Sequence, residues 1–231
     1  MTHPLTHELK QLLLFFISST LGQKEQAISA LMFGISLVIL CALATENLSG
    51  PPLRDLYVGL SFIITLITLS WFFMRIFANF FIDRTLETLM ILPRNHHLIF
   101  VSCTCPILIF AVTSSLLLTW LLSHFLGLTL DLELMLTLGL SLAVYVFGLT
   151  PLGILCGLLT TYDRDNSLLF PLIYFPLATP LTIVSLQSSK VIWHNFEVVM
   201  SNSIAPIILP ACMAGFFFCL SLLLFNTMDN T

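Results

Sequence analysis

The chain has 231 residues, of which 58% are hydrophobic and only 9% charged, with a formal net charge of −4. Soluble domains carry about 25% charged residues, so this composition excludes a water-soluble enzyme, a nucleic-acid binder and a disordered chain. A bilayer core about 30 Å thick takes about 20 apolar residues per helix, so the apolar share supplies about six spans and leaves little for a soluble domain.

The first 26 residues form an N-terminal arm. Within it, Leu5, Leu9, Leu12, Leu13 and Phe16 fall at helical spacing, with His7, Glu8, Gln11 and Ser18 opposite. That pattern predicts an amphipathic helix, lying in the membrane interface or packed on the bundle.

Uncharged stretches then run over Ala27–Ala44, Leu56–Phe73, Leu98–Leu122, Leu134–Leu159, Leu168–Leu186 and Ile204–Phe225. They are continuous and long, whereas strands of a membrane barrel alternate over about ten residues. Six transmembrane helices are therefore expected, an all-α polytopic fold in one transmembrane domain over residues 1–231. Ala42, Leu43 and Ala44 imitate a signal cleavage site, but the preceding apolar run exceeds a signal core of about 7–15 residues, so an uncleaved helix is expected.

Orientation follows from the eight Lys and Arg residues. Lys10, Lys24, Arg75, Arg84, Arg94 and Arg164 fall on one side of such a bundle, and Arg54 and Lys190 on the other. The positive-inside rule puts the larger group, and both termini, in the cytoplasm.

The inner loop at residues 75–97 has an apolar stripe of Leu86, Leu89 and Met90. Asp83, Arg84, Glu87 and Thr88 point the other way, and Pro93 ends the helical pattern after Leu92. Asp83 stands at the favourable end of the helix dipole, and Arg84 and Glu87 are spaced i,i+3. The segment reads as a solvated loop on the headgroups or as a short helix that docks in a groove of a soluble partner.

In the fourth span, Gly153 and Gly157 form a small-xxx-small pair that lets helices approach closely. In the fifth, Pro171, Pro176 and Pro180 each remove a backbone donor, which predicts a broken or bent helix. Freed carbonyls in lipid need cover, so these prolines read either as facing the bundle or a substrate or as a purely structural kink. Beyond this span, residues 187–203 read as a periplasmic interfacial segment, with Ile192, Phe196, Val199 and Met200 on one face and Trp193 as an anchor.

The chemistry of sites is sparse. Cys41, Cys103, Cys105, Cys156, Cys212 and Cys219 all lie in apolar stretches and read as small core residues. His96 and His97 read as boundary residues, and His194 as incidental rather than a ligand. No ionisable residue lies deep in a span, which argues against a proton-coupled carrier. The sequence contains no GxxxxGK[ST] motif, and energy for transport would come from another subunit. No catalytic, cofactor-binding or metal-binding residue is expected.

The run from Arg75 through Asp83, Leu86 and Glu87 to Pro93 resembles the cytoplasmic segment of CcmB, the membrane subunit of the ABC-type haem exporter of cytochrome c maturation. Broader ABC-2 export permeases share a similar Leu-Glu-x-Leu-x-x-x-Pro ending. Phe175-Pro-Leu-Ala-Thr-Pro180 resembles the family's spaced proline pair, and Thr150-Pro151-Leu-Gly153 followed by Gly157 is a third match. The chain differs from the family pattern at Met74 and Phe80, where acidic residues are usual, and at Arg84, where glycine is favoured.

The resemblance implies an ABC-2-type permease architecture and a place in the bacterial inner membrane in preference to the mitochondrial one. It implies a cytoplasmic ABC ATPase partner, other cytochrome c maturation membrane proteins, a second copy of this chain within the complex, and haem as a transported ligand. Asp83, Leu86, Glu87, Leu89, Met90 and Pro93 would then couple to the ATPase. Two other readings stay open: another ABC-2 exporter for drugs, lipids or polysaccharide, and a membrane scaffold for haem-handling proteins that moves no substrate.

Overall fold

The computed structural model describes residues 24–46, 51–82, 96–128, 130–161, 169–194 and 205–227. They form six helices: α1 (Lys24–Ala44), α2 (Pro51–Ile82), α3 (His96–Phe125), α4 (Leu132–Thr161), α5 (Leu169–His194) and α6 (Ala205–Thr227). Each is long and apolar enough to cross a membrane, and there are no strands among the described residues.

α4 is the centre of the bundle. It is apolar all round, as a helix without a solvent face must be, and it packs on α2, α3, α5 and α6. In its most apolar stretch 78% of residues are buried, against 17% in α1, 28% in α5 and 22% in α6. α2 is the second interior helix and touches α1, α3, α4 and α5. α1 leans on α2 and α3 at one side, while α5 packs on α2, α4 and α6.

The interior is mainly aliphatic, with aromatic rings that meet in pairs across the helices. Phe72 meets Phe110 at 4.2 Å between ring centroids, Phe62 meets Tyr145 at 4.9 Å, and Phe100 meets Phe225 at 5.3 Å. Buried hydroxyls are mostly satisfied within their own helix, as the absence of water in a bilayer core demands. Thr65 donates to the Ser61 carbonyl at 2.8 Å, Thr104 to Phe100 at 2.7 Å and Thr150 to Val146 at 2.8 Å.

The turn after α3 closes by backbone chemistry alone. Gly127 takes φ of 64°, the left-handed conformation that glycine adopts without a Cβ penalty. The Leu128 amide donates to the Ser123 carbonyl at 3.0 Å and the Gly127 amide to His124 at 3.2 Å, the paired bonds of a Schellman cap.

Two expected boundaries move. α2 continues through Arg75 to Ile82, so residues 75–82 of the expected inner loop are helical. α5 continues to His194, so residues 187–194 extend the fifth span instead of starting a separate interfacial segment. Packing explains the second shift, because the hydroxyls of Ser189 and Ser141 bond at 2.7 Å and Ile192 is fully buried. The arm at residues 1–23 and the remainder of the interfacial segment at residues 195–203 lie outside the described residues.

Candidate functional site

At a rise of about 1.5 Å per residue, the 32-residue α2 is about 48 Å long. This exceeds the bilayer core of about 30 Å, so α2 carries its last turns past the hydrocarbon, to the point where segment 83–95 begins. α3 starts immediately after that segment, at His96. The expected coupling residues Asp83, Leu86, Glu87, Leu89, Met90 and Pro93 lie outside the described residues, but α2, which leads into their segment, is an interior element of the bundle.

The last turns of α2 are seated on α4. A Cβ built on Gly153 would collide with the Phe73 ring, and one built on Gly157 with the Phe77 ring. Phe73 is fully buried and Phe77 is 4% exposed. Two rings four residues apart thus occupy two glycine seats four residues apart, which sets α2 and α4 parallel and in register. Farther along α4, a Cβ on Gly148 would come within 2.7 Å of Leu181 on α5 and 3.0 Å of Ala214 on α6. The glycines let three helices approach α4 closely, so displacement of α2 bears directly on the most buried helix.

Arg75 explains why a charge does not end α2. Its guanidinium lies over the Trp71 ring at 5.0 Å, and Trp71 stacks on Phe33 of α1 at 5.1 Å. The aliphatic stem crosses apolar surface while the exposed head reaches polar surroundings. At the opposite end of the bundle, Trp193 packs on Tyr57 at 5.8 Å and Trp120 stacks on His124 at 5.9 Å. Trp193 and Trp120 thus share one end of the bundle, the placement of an aromatic belt at a membrane interface, whereas Trp71 meets Phe33 halfway along α1 and its indole N–H is buried without a partner.

A second polar feature joins α4 to α5. Besides the Ser141 and Ser189 pair, Tyr145 and Thr182 share a hydrogen bond of 2.9 Å. The hydroxyls of Tyr174 and Ser185 on α5, and of Ser221 on α6, are buried without a partner. No sequence periodicity marked this seam, because its members are scattered over three spans and meet only in the packed bundle.

The α5 prolines do not produce separate half-helices. Pro171 lies in the first turn, where no amide donor is needed, and α5 runs continuously through Pro176 and Pro180. The bundle-facing reading is corrected: Pro176 and Pro180 are exposed, while Tyr174, Ala178 and Leu181 fill the inward face. The cysteines also divide. Cys103 and Cys156 are buried, but Cys212 and Cys219 are exposed on α6, where a thiol behaves as a small apolar group toward lipid. Among the described residues no three His, Cys, Asp or Glu side chains gather as a metal site.

The family model described as the CcmB protein matches residues 10–222, nearly the whole chain. No curated protein sequence matches it. The chain belongs to the CcmB family, and with its six helices it is a multi-pass membrane permease.

Proposed function

We propose that this CcmB-family chain is the permease subunit of an ATP-binding-cassette haem exporter in the bacterial inner membrane. It serves cytochrome c biogenesis and couples ATP hydrolysis by a cytoplasmic partner to haem delivery. Both termini and the segments after α2 and α4 lie in the cytoplasm. The ATPase docks on segment 83–95, where Leu86, Leu89 and Met90 supply the apolar contact, Asp83 and Glu87 the charged one, and Pro93 ends the docking helix.

The supporting observation is the seating of Phe73 and Phe77 on Gly153 and Gly157. A push on segment 83–95 acts on the end of α2, and close packing passes it to α4 as a rigid displacement, because packed interiors shift between discrete arrangements and do not deform continuously. Other cytochrome c maturation membrane proteins receive the haem, and their own side chains ligate it.

The test measures ATPase co-purification and the level of haem-bearing c-type cytochromes in cells carrying Leu86→Asp, Leu89→Asp or Glu87→Lys. Loss of both readouts, with normal membrane levels of the variant, is expected. Unchanged cytochrome levels would sink the coupling assignment. An ATPase partner unable to hydrolyse ATP adds a second arm. Cytochromes that still mature with it would favour a scaffold that moves nothing.

A further inference from the structure

We infer that α5 has a second seat in the bundle, reached when it slides along α4 by about one helical turn toward its own N-terminus and exchanges one set of buried hydrogen bonds for another. The slide rests on the α4–α5 seam alone. Its use in a transport cycle rests on the proposed function.

The inward stripe of α5 is Tyr174, Ala178, Thr182, Ser185 and Ser189, spaced by three or four residues. Two of its hydroxyls are engaged with α4: Ser189 bonds Ser141 at 2.7 Å, and Thr182 bonds Tyr145 at 2.9 Å. Thr182 gives its own proton to the Ala178 carbonyl at 2.8 Å, so Tyr145 is the donor in that pair. Tyr174 and Ser185 are fully buried, and their hydroxyls have no partner. Ser185 thus stands idle between the two occupied rungs.

The register decides what a slide does. α4 and α5 run antiparallel, with Ser141 opposite Ser189 and Gly148 against Leu181. Followed along both helices, this pairing puts Tyr174 level with Cys156, and the Tyr174 ring meets Phe73, the ring seated on Gly153, at 6.0 Å. A shift of about 5.4 Å toward the α5 N-terminus carries Ser185 to the place of Thr182, opposite Tyr145. The same shift carries Tyr174 from the level of Cys156 to that of Thr160. Thr160 gives its proton to the Gly157 carbonyl at 2.9 Å, and its oxygen can accept from the phenol. Both idle hydroxyls of α5 then have partners, and two interhelical bonds replace two. Ser141 and Ser189, left behind, can turn to carbonyls of their own helices, as Ser36 and Ser188 do.

Tyr145 sets the direction. A slide the other way would leave it opposite Ala178, and a phenol cannot fold back on its own helix backbone as a serine does. Deep in a span its hydroxyl would then lack any partner, which is costly without water. The opposite contact of α4 is built to stay put, because Phe73 and Phe77 fill Gly153 and Gly157. On the α5 side the bulky member is Leu181, and Val184 replaces it at Gly148 after the slide. Packed helices with two such arrangements pass between them in one-turn steps.

Cysteine pairing in native membranes reads the two seats. Position 178 is level with Leu152 in the present arrangement and with Cys156 after the slide. One chain carries Ala178→Cys with native Cys156, a second carries Ala178→Cys with Leu152→Cys, and neither has any other cysteine. Cα atoms within about 7 Å can be bridged, so mild oxidation is expected to close an intramolecular disulfide in each, read as protection from a maleimide mass tag. Ser185→Ala or Tyr174→Phe, which remove bonds of the second seat only, should cut the yield at Cys156 several-fold and leave that at Leu152→Cys in place. Ser189→Ala should raise the yield at Cys156. No disulfide at Cys156, or a yield there indifferent to Ser185→Ala and Tyr174→Phe, would overturn the slide; failure of the Leu152→Cys pair would overturn the register beneath it. The readout needs no ATPase. The slide can fail with the docking assignment intact, and docking can fail at Leu86→Asp with both disulfides unchanged.

Discussion

Two glycines of α4 carry more of the architecture than their size suggests. Gly153 and Gly157 are seats for Phe73 and Phe77, and a larger residue there must push a buried ring into neighbours that cannot yield. Overpacking of this kind costs about 1–3 kcal/mol. Gly157→Leu is therefore expected to lower the melting temperature of the detergent-solubilised protein, and Phe77→Ala in the same chain to recover part of the loss. Purely additive effects of the two substitutions would contradict the contact. Gly127 presents a different case. Its cost is conformational, since an L side chain in the left-handed region is disfavoured by about 1–2 kcal/mol. Gly127→Ala should destabilise the fold by about that amount in a reversible denaturation experiment, although nothing stands within 4 Å of the built Cβ.

Element boundaries show where sequence reading stops. The second uncharged stretch ends at Phe73 because Arg75 follows, yet the helix continues to Ile82. The charge is tolerated because Trp71 and Phe33 provide an aromatic bed for it, a contact between two helices that no single-span pattern reveals. The continuity matters for coupling. If α2 transmits force as a rigid rod, two glycines inserted between Ile82 and Asp83 should uncouple it, since glycine is the most flexible joint available. ATPase co-purification should persist while c-type cytochrome levels fall; full maturation with the insertion present would contradict the rod. The α5 prolines teach a related lesson. Their number and spacing were plain in the sequence, but which side of the helix they occupy was fixed by Tyr174, Ala178 and Leu181 taking the inward face.

For the molecule as a whole, the distribution of Lys and Arg predicts which end of the bundle faces the cytoplasm. The aromatic level of Tyr57, Trp120 and Trp193 marks one end of the bundle without saying which side of the membrane either end faces. Cysteine substitution at Asp131 and Asp163, in a chain otherwise free of cysteine, decides between them. A membrane-impermeant maleimide added to intact spheroplasts should label the Asp131 position and spare the Asp163 position. The opposite pattern would invert the bundle and move segment 83–95 away from any cytoplasmic ATPase.

Much of this protein follows from its sequence alone: six helical spans, the family, the absence of a nucleotide-binding motif and the concentration of charge around the segment after α2. These are properties of composition, run length and local order, and the bilayer enforces them on each span separately. Tertiary structure alone decided the central place of α4, the rings that fill its glycine seats, the hydroxyl seam between α4 and α5, and the outward turn of Pro176 and Pro180. The reason is that lipid is as apolar as the side chains. Apolar periodicity, which tells a soluble helix which face to bury, says almost nothing in a bilayer, and close fit between particular residues decides the packing in its stead.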